Sequence, residues 1–156
     1  MHACDDGAMA THLEQTIRAA HAGDAEAVAA LLLELGYPTA VNDARERLVR
    51  ARGRADGGVI VAEVQREVVG VAAYEIVPLL ERARPQCRLT TLVVRSDQRR
   101  RGVAATLLAG VESAARAAAC FRLEVTTQPT RSDALAFYAA AGFTERPHRL
   151  VKMLTA

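Results

Sequence analysis

Hydrophobic and polar positions along this chain switch between a helical and a strand period, and the switches mark its elements. Val28, Leu31, Leu32 and Leu35 recur at helical spacing, with Asp24 placed as N-cap and Gly36 as the stop. A short strand is expected before them at Gln15–Ala19, and the turn Tyr37-Pro38 follows. A second helix over 42–52 carries Ala44, Leu48 and Ala51 on one face and mostly Arg and Glu on the other. After a glycine-rich loop at 53–58, the runs Val59–Val64 and Val68–Ile76 flank the polar turn Gln65-Arg66-Glu67. That pattern predicts an antiparallel hairpin.

Residues 78–85 read as a loop, and a fourth strand runs from Arg88 to Val94. The alanine-rich segment from Gly102 to Ala119, with Leu107, Leu108 and Val111 on one face, predicts a long helix. A fifth strand is expected at Phe121–Thr127 and a short helix at Arg131–Ala141, stopped by Gly142. Closing strands follow at 143–145 and 149–154, around Pro147. Residues 1–12 lack periodicity and read as a loose tail, leaving one domain over 13–156. The order β-α-α-β-β-β-α-β-α-β-β predicts an α/β fold in which helices cover the faces of a mixed sheet.

Composition narrows the function classes. The 156 residues suit one core, and 51% hydrophobic with 24% charged residues is ordinary for a soluble domain. A net charge of +2 gives no case for nucleic acid or a membrane surface. Cys4, Cys87 and Cys120 form neither a disulfide framework nor a metal knuckle, and His2, His12, His21 and His148 show no metal spacing. The acidic N-terminus lacks the apolar stretch of a signal peptide. The expectation is a cytoplasmic protein with no metal.

The informative segment is Leu92-Val93-Val94-Arg95-Ser96-Asp97-Gln98-Arg99-Arg100-Arg101-Gly102-Val103-Ala104. A strand, a basic turn and a helix start follow one another. A helix N-terminus offers unpaired N–H groups and the positive end of its dipole, which together suit phosphate. Gly102 and Ala104 leave the backbone approachable, and Arg99, Arg100 and Arg101 add positive charge. Neither a P-loop nor a G-x-G-x-x-G fingerprint is present. On the turn alone, solvated arginines at a helix start are an equal reading.

Arg99-x-x-Gly102-x-Ala104 resembles the Q/R-x-x-G-x-G/A signature of the GCN5-related N-acetyltransferases, and it stands where that family places it, between the fourth strand and third main helix. Phe137-Tyr138-x-x-x-Gly142-Phe143 resembles the family's second hallmark. The resemblance covers residues 14–156 and implies a central, mostly antiparallel sheet with helices on both faces. It implies acetyl-CoA as acetyl donor, with the pantetheine arm along Leu92, Val93 and Val94. The pyrophosphate would lie on Arg99, Arg100, Arg101, Gly102, Val103, Ala104 and Ala105. Tyr138 would be the general acid for the leaving thiolate. Many relatives have asparagine where this chain has Arg131, which contacts the cofactor, an anionic substrate or only solvent.

Direct attack by an amine also needs a proton acceptor. The fourth strand carries no carboxylate at Leu89-Thr90-Thr91-Leu92, so the candidates are Glu124, on the strand that borders the acetyl site in the family, Glu75, or water. The resemblance thus implies an N-acetyltransferase for a small-molecule or protein amine, with a homodimer plausible. The alternative is a non-catalytic acyl-CoA-binding or sensing module.

Overall fold

The computed structural model describes residues 14–127, 132–146 and 148–154; the expected tail at 1–12 and Arg131 lie outside them. Five strands, β1 (Gln15–Ala19), β2 (Gly57–Val64), β3 (Glu67–Val77), β4 (Gln86–Val94) and β5 (Leu123–Val125), form one open sheet in that spatial order. The pairings from β1 to β4 are antiparallel, whereas β4 and β5 run parallel. The helices are α1 (Ala25–Leu35), α2 (Val41–Ala51), α3 (Val103–Ala117) and α4 (Ser132–Ala140). No described helix is long and apolar enough to cross a membrane.

Strand parity sorts the side chains into two cores. Val61, Val71 and Val93 point to one face and pack with Val28 and Leu31 of α1 and Leu48 of α2. Ala62, Val69, Ala72, Leu89 and Val94 point to the other, where Val103, Leu107 and Val111 of α3 cover them. Gly70 permits this close approach: a Cβ there would stand 2.9 Å from Leu107 Cδ1. The β2–β3 connection is the expected hairpin, with Gln65 at φ +51° and Arg66 at φ +66°. Two left-handed residues match the twist of a two-residue turn.

The start of α1 is built differently from its sequence signal. Asp24 stands at the N-cap position but makes no capping hydrogen bond to α1. Its carboxylate accepts instead from the His21 backbone N–H at 2.9 Å and from Arg18 Nη1 and Nη2, each at 2.8 Å. Arg18 also reaches Glu63 on β2, so the cluster ties β1, β2 and the entry to α1 together. Burial alone would raise the Asp24 pKa; the hydrogen bonds from Arg18 and His21 outweigh it and hold the pKa below its usual value. Its folded pKa being depressed, Asp24 contributes stability above the ordinary carboxylate range, which is lost as pH falls through the folded value. Asp24 is 5% exposed and Arg18 32%, so Asp24→Asn should cost about 3 kcal/mol at neutral pH. Urea unfolding at several pH values should show that cost shrinking on acidification.

The two closing strands expected at 143–145 and 149–154 are not formed. Gly142 at φ +92° ends α4 and turns Phe143 back towards Tyr138, whose carbonyl accepts the Phe143 N–H at 2.9 Å. His148 is left-handed at φ +81°, which interrupts an extended path, and Leu150, Val151, Met153 and Leu154 are exposed. The local β propensity there meets no strand to pair with among the described residues.

Candidate active site

A wedge opens in the sheet between β4 and β5. Their pairing runs only from Cys87–Leu123 to Leu89–Val125, so among the described residues the β4 edge from Thr90 to Val94 has no strand beside it on that side. A bulge at Thr90 starts the divergence. On β3, Tyr74 faces Leu89 and Ala73 faces Thr91, leaving Thr90 unpaired, with its hydroxyl donating to the Ala73 carbonyl at 3.1 Å. Leu92, Val93 and Val94 therefore lie along an open edge that an extended ligand can join by backbone hydrogen bonds.

The wedge leads into the basic turn before α3. Ser96 donates its N–H to Glu34 of α1 at 3.0 Å, and Arg99 donates Nε to the Val94 carbonyl at 3.2 Å. Arg99 Nη2 also reaches Glu34 at 3.4 Å, so this guanidinium braces the turn. Gln15 donates to the Arg101 carbonyl at 2.8 Å and accepts from the Thr106 hydroxyl at 3.0 Å. Arg100 and Arg101 are exposed.

The local backbone explains why this turn suits an anion. Arg100 has φ +61° and Gly102 has φ +80°, left-handed residues on either side of Arg101, and such alternation of backbone conformation forms anion-binding concavities. The first helical hydrogen bond runs from Thr106 N–H to the Gly102 carbonyl at 3.0 Å. The amides of Val103, Ala104 and Ala105 thus have no partner within the helix, and among the described residues no side chain caps α3. Its first turn holds no acidic residue, and a Cβ on Gly102 would meet nothing within 4 Å. Val103 is buried in the core, so only its backbone faces this space. Uncapped amides, open space and two exposed arginines fit a pyrophosphate.

Tyr138 lies on the α3 side of the sheet in the same cluster as Leu92. Its ring packs edge-on against Phe137 at 5.2 Å and Phe143 at 5.3 Å. Burial raises its hydroxyl pKa, and the hydroxyl makes no hydrogen bond among the described residues. It stays a protonated donor at neutral pH.

Glu75 and Glu124 lie across from Tyr138, on the α1/α2 side of the sheet. Arg88 is register partner to both, so Glu75, Arg88 and Glu124 form one row across β3, β4 and β5. Glu124 Oε1 accepts from Arg88 Nε at 3.0 Å and from Gln86 Nε2 at 3.1 Å, while Oε2 accepts from Arg122 Nη2 at 3.3 Å. Glu75 is exposed and makes no ion pair among the described residues. Cys87, on the opposite face, is fully buried, and burial pushes its thiol up to about 11, which makes it a poor nucleophile. No cluster of metal-ligating side chains occurs among the described residues.

Sequence reasoning missed Glu34, Gln15 and Thr106 as supports of the turn. Only Thr106 is near it in the chain, as the residue four after Gly102; the other two arrive through the fold. Of the groups around Glu124, Arg122 stands two residues before it in the chain, whereas Arg88 and Gln86 arrive only through the pairing of β4 with β5.

The fold is shared with solved structures. An aminoglycoside N-acetyltransferase, AAC(6')-Iy, in complex with CoA superposes with a TM-score of 0.81 at 18% identity, covering 92% of this chain and 96% of that one. A transcriptional regulator from Bacillus halodurans C-125 gives 0.80 at 24% identity, covering 91% of this chain and 100% of that one. A Trypanosoma brucei acetyltransferase gives 0.75 at 21% identity, covering 90% and 100%. No curated protein sequence matches significantly. The profile of the Acetyltransferase (GNAT) family matches residues 26–143, a span that includes the wedge, the basic turn and Tyr138. This chain belongs to the GNAT acetyltransferase family.

Proposed function

We propose that residues 13–156 form an N-acetyltransferase that moves the acetyl group of acetyl-CoA directly to an amine of a small molecule or protein. The observation that carries this is the continuity of the open β4 edge with the uncapped start of α3. The edge suits the pantetheine arm, and the amides from Arg100 to Ala105, with Arg100 and Arg101, suit the pyrophosphate. AAC(6')-Iy, of the same fold, has been solved with CoA and with a bisubstrate analogue, CoA-S-monomethyl-acetylneamine, which supports an amine as acceptor.

In this reading the neutral amine attacks the thioester carbon from the α1/α2 side of the wedge. A backbone N–H of β4 near Val93 stabilises charge on the acetyl oxygen. The tetrahedral intermediate then expels the CoA thiolate, which takes the Tyr138 proton from the opposite side. Glu124 accepts the amine proton through water, since Arg88, Arg122 and Gln86 already occupy its oxygens. The raised thiol of Cys87 favours this direct route over an acetyl-enzyme.

The same engagement of Glu124 favours one second reading, a non-catalytic acyl-CoA-binding module. Turnover separates the two. Purified protein is mixed with acetyl-CoA and neamine or a lysine-containing peptide, and thiol release and product mass are followed. Amine-dependent release with an acetylated product supports the enzyme; acetyl-CoA binding without release for any amine supports the module. Glu124→Gln should lower kcat about a hundredfold while acetyl-CoA binding persists.

A further inference from the structure

The row Glu75, Arg88, Glu124 forms an open polar floor on the α1/α2 side of the sheet, next to the wedge. The core under α1 and α2 extends on this face to Val59 of β2, Val71 of β3 and Val93 of β4, and does not include the row. Arg88 is two residues before the Thr90 bulge, about 7 Å along the strand from the point where β4 and β5 part. Its side chain is 46% exposed, and among the described residues only Nε is engaged, by Glu124. Glu75, its register partner on the other side, makes no ion pair with it. The outer Nη edge of Arg88 is therefore available beside the place where the amine must arrive.

We infer that the acceptor amine carries a carboxylate of its own, and that Arg88 binds it. This rests on the acetyltransferase reading above. An Arg guanidinium edge matches a carboxylate in shape and charge. The floor as a whole is balanced, with Arg88 and Arg122 set against Glu75 and Glu124. A balanced floor suits a molecule with one positive and one negative group. A polycationic amine would find Arg88 and Arg122 repulsive, and a dianionic group would be repelled by the flanking carboxylates. Gln86 and Arg122 hold Glu124 from behind, so Arg88 is not needed to neutralise it alone.

The test compares kcat/KM at saturating acetyl-CoA for each of the common L-amino acids, and for β-alanine, with that of its own carboxamide. Product mass confirms acetylation of the amine. The expected result is a preference for at least one free acid over its amide of about tenfold or more. Arg88→Gln should bring that ratio close to one, and Arg88→Lys should restore part of it. Equal use of acids and amides by the wild type would overturn the inference, as would an unchanged ratio in Arg88→Gln. So would acetylation of neamine with no acid in the panel accepted, or binding of acetyl-CoA with no acceptor used at all. Calorimetry with acetyl-CoA runs alongside: absence of binding would remove the acetyltransferase reading itself, whereas binding with any of those outcomes removes only the carboxylate specificity.

Discussion

Replacing Gly102 with glutamate should weaken acetyl-CoA binding by at least about a hundredfold while leaving the fold in place. The added carboxylate would enter the space in front of the uncapped amides of Val103, Ala104 and Ala105. It would repel the pyrophosphate and also compete for the same N–H groups. Because Gly102 has φ +80°, any L side chain adds backbone strain, about 1–2 kcal/mol. Gly102→Asn separates the two effects, since asparagine tolerates the left-handed region and brings no charge. Acetyl-CoA should raise the melting temperature of the wild type and, by less, of Gly102→Asn, and leave that of Gly102→Glu unmoved. Equal shifts in all three proteins would remove the basic turn from the binding site.

Tyr138→Phe should lower kcat about a hundredfold with little change in the KM for acetyl-CoA. The ring remains to pack against Phe137 and Phe143, so the loss isolates the hydroxyl. The pH dependence gives an independent sign. The protonated hydroxyl is the active form, and burial raises its pKa, so the wild-type rate should fall only above the ordinary tyrosine range. That alkaline fall should be absent from Tyr138→Phe. Near-normal kcat in the variant would assign Tyr138 to packing alone.

What could be read in the sequence was what local chemistry determines. Alternation in β2 and β3, the polar turn between them and the stripe of Leu107, Leu108 and Val111 each specify an element without distant partners. The strand–turn–helix around Gly102 was legible for the same reason, since its use depends on consecutive residues. Asp24 was legible as a helix-start residue but not as the ion-pair partner of Arg18, whose guanidinium turns back from β1 to meet it and also reaches Glu63 through the pairing of β1 with β2. β5 is shorter than its β-prone run, since beyond Val125 the strand diverges from β4 and loses its ladder. The segment 149–154 has strand-like composition, yet a strand requires a partner edge, which composition does not specify. The same limit hid part of the surroundings of Glu124: Arg122 is its neighbour in the chain, while the register of β4 with β5 places Arg88 beside it and Gln86 against it.

The most direct test of the central claim is a calorimetric titration of the wild-type chain with acetyl-CoA. A continuous seat along the β4 edge and the start of α3 should give saturable binding with one acetyl-CoA per chain, weakened by salt as the pyrophosphate contacts are screened. No detectable heat over a range of temperatures, with no shift in melting temperature, would contradict it.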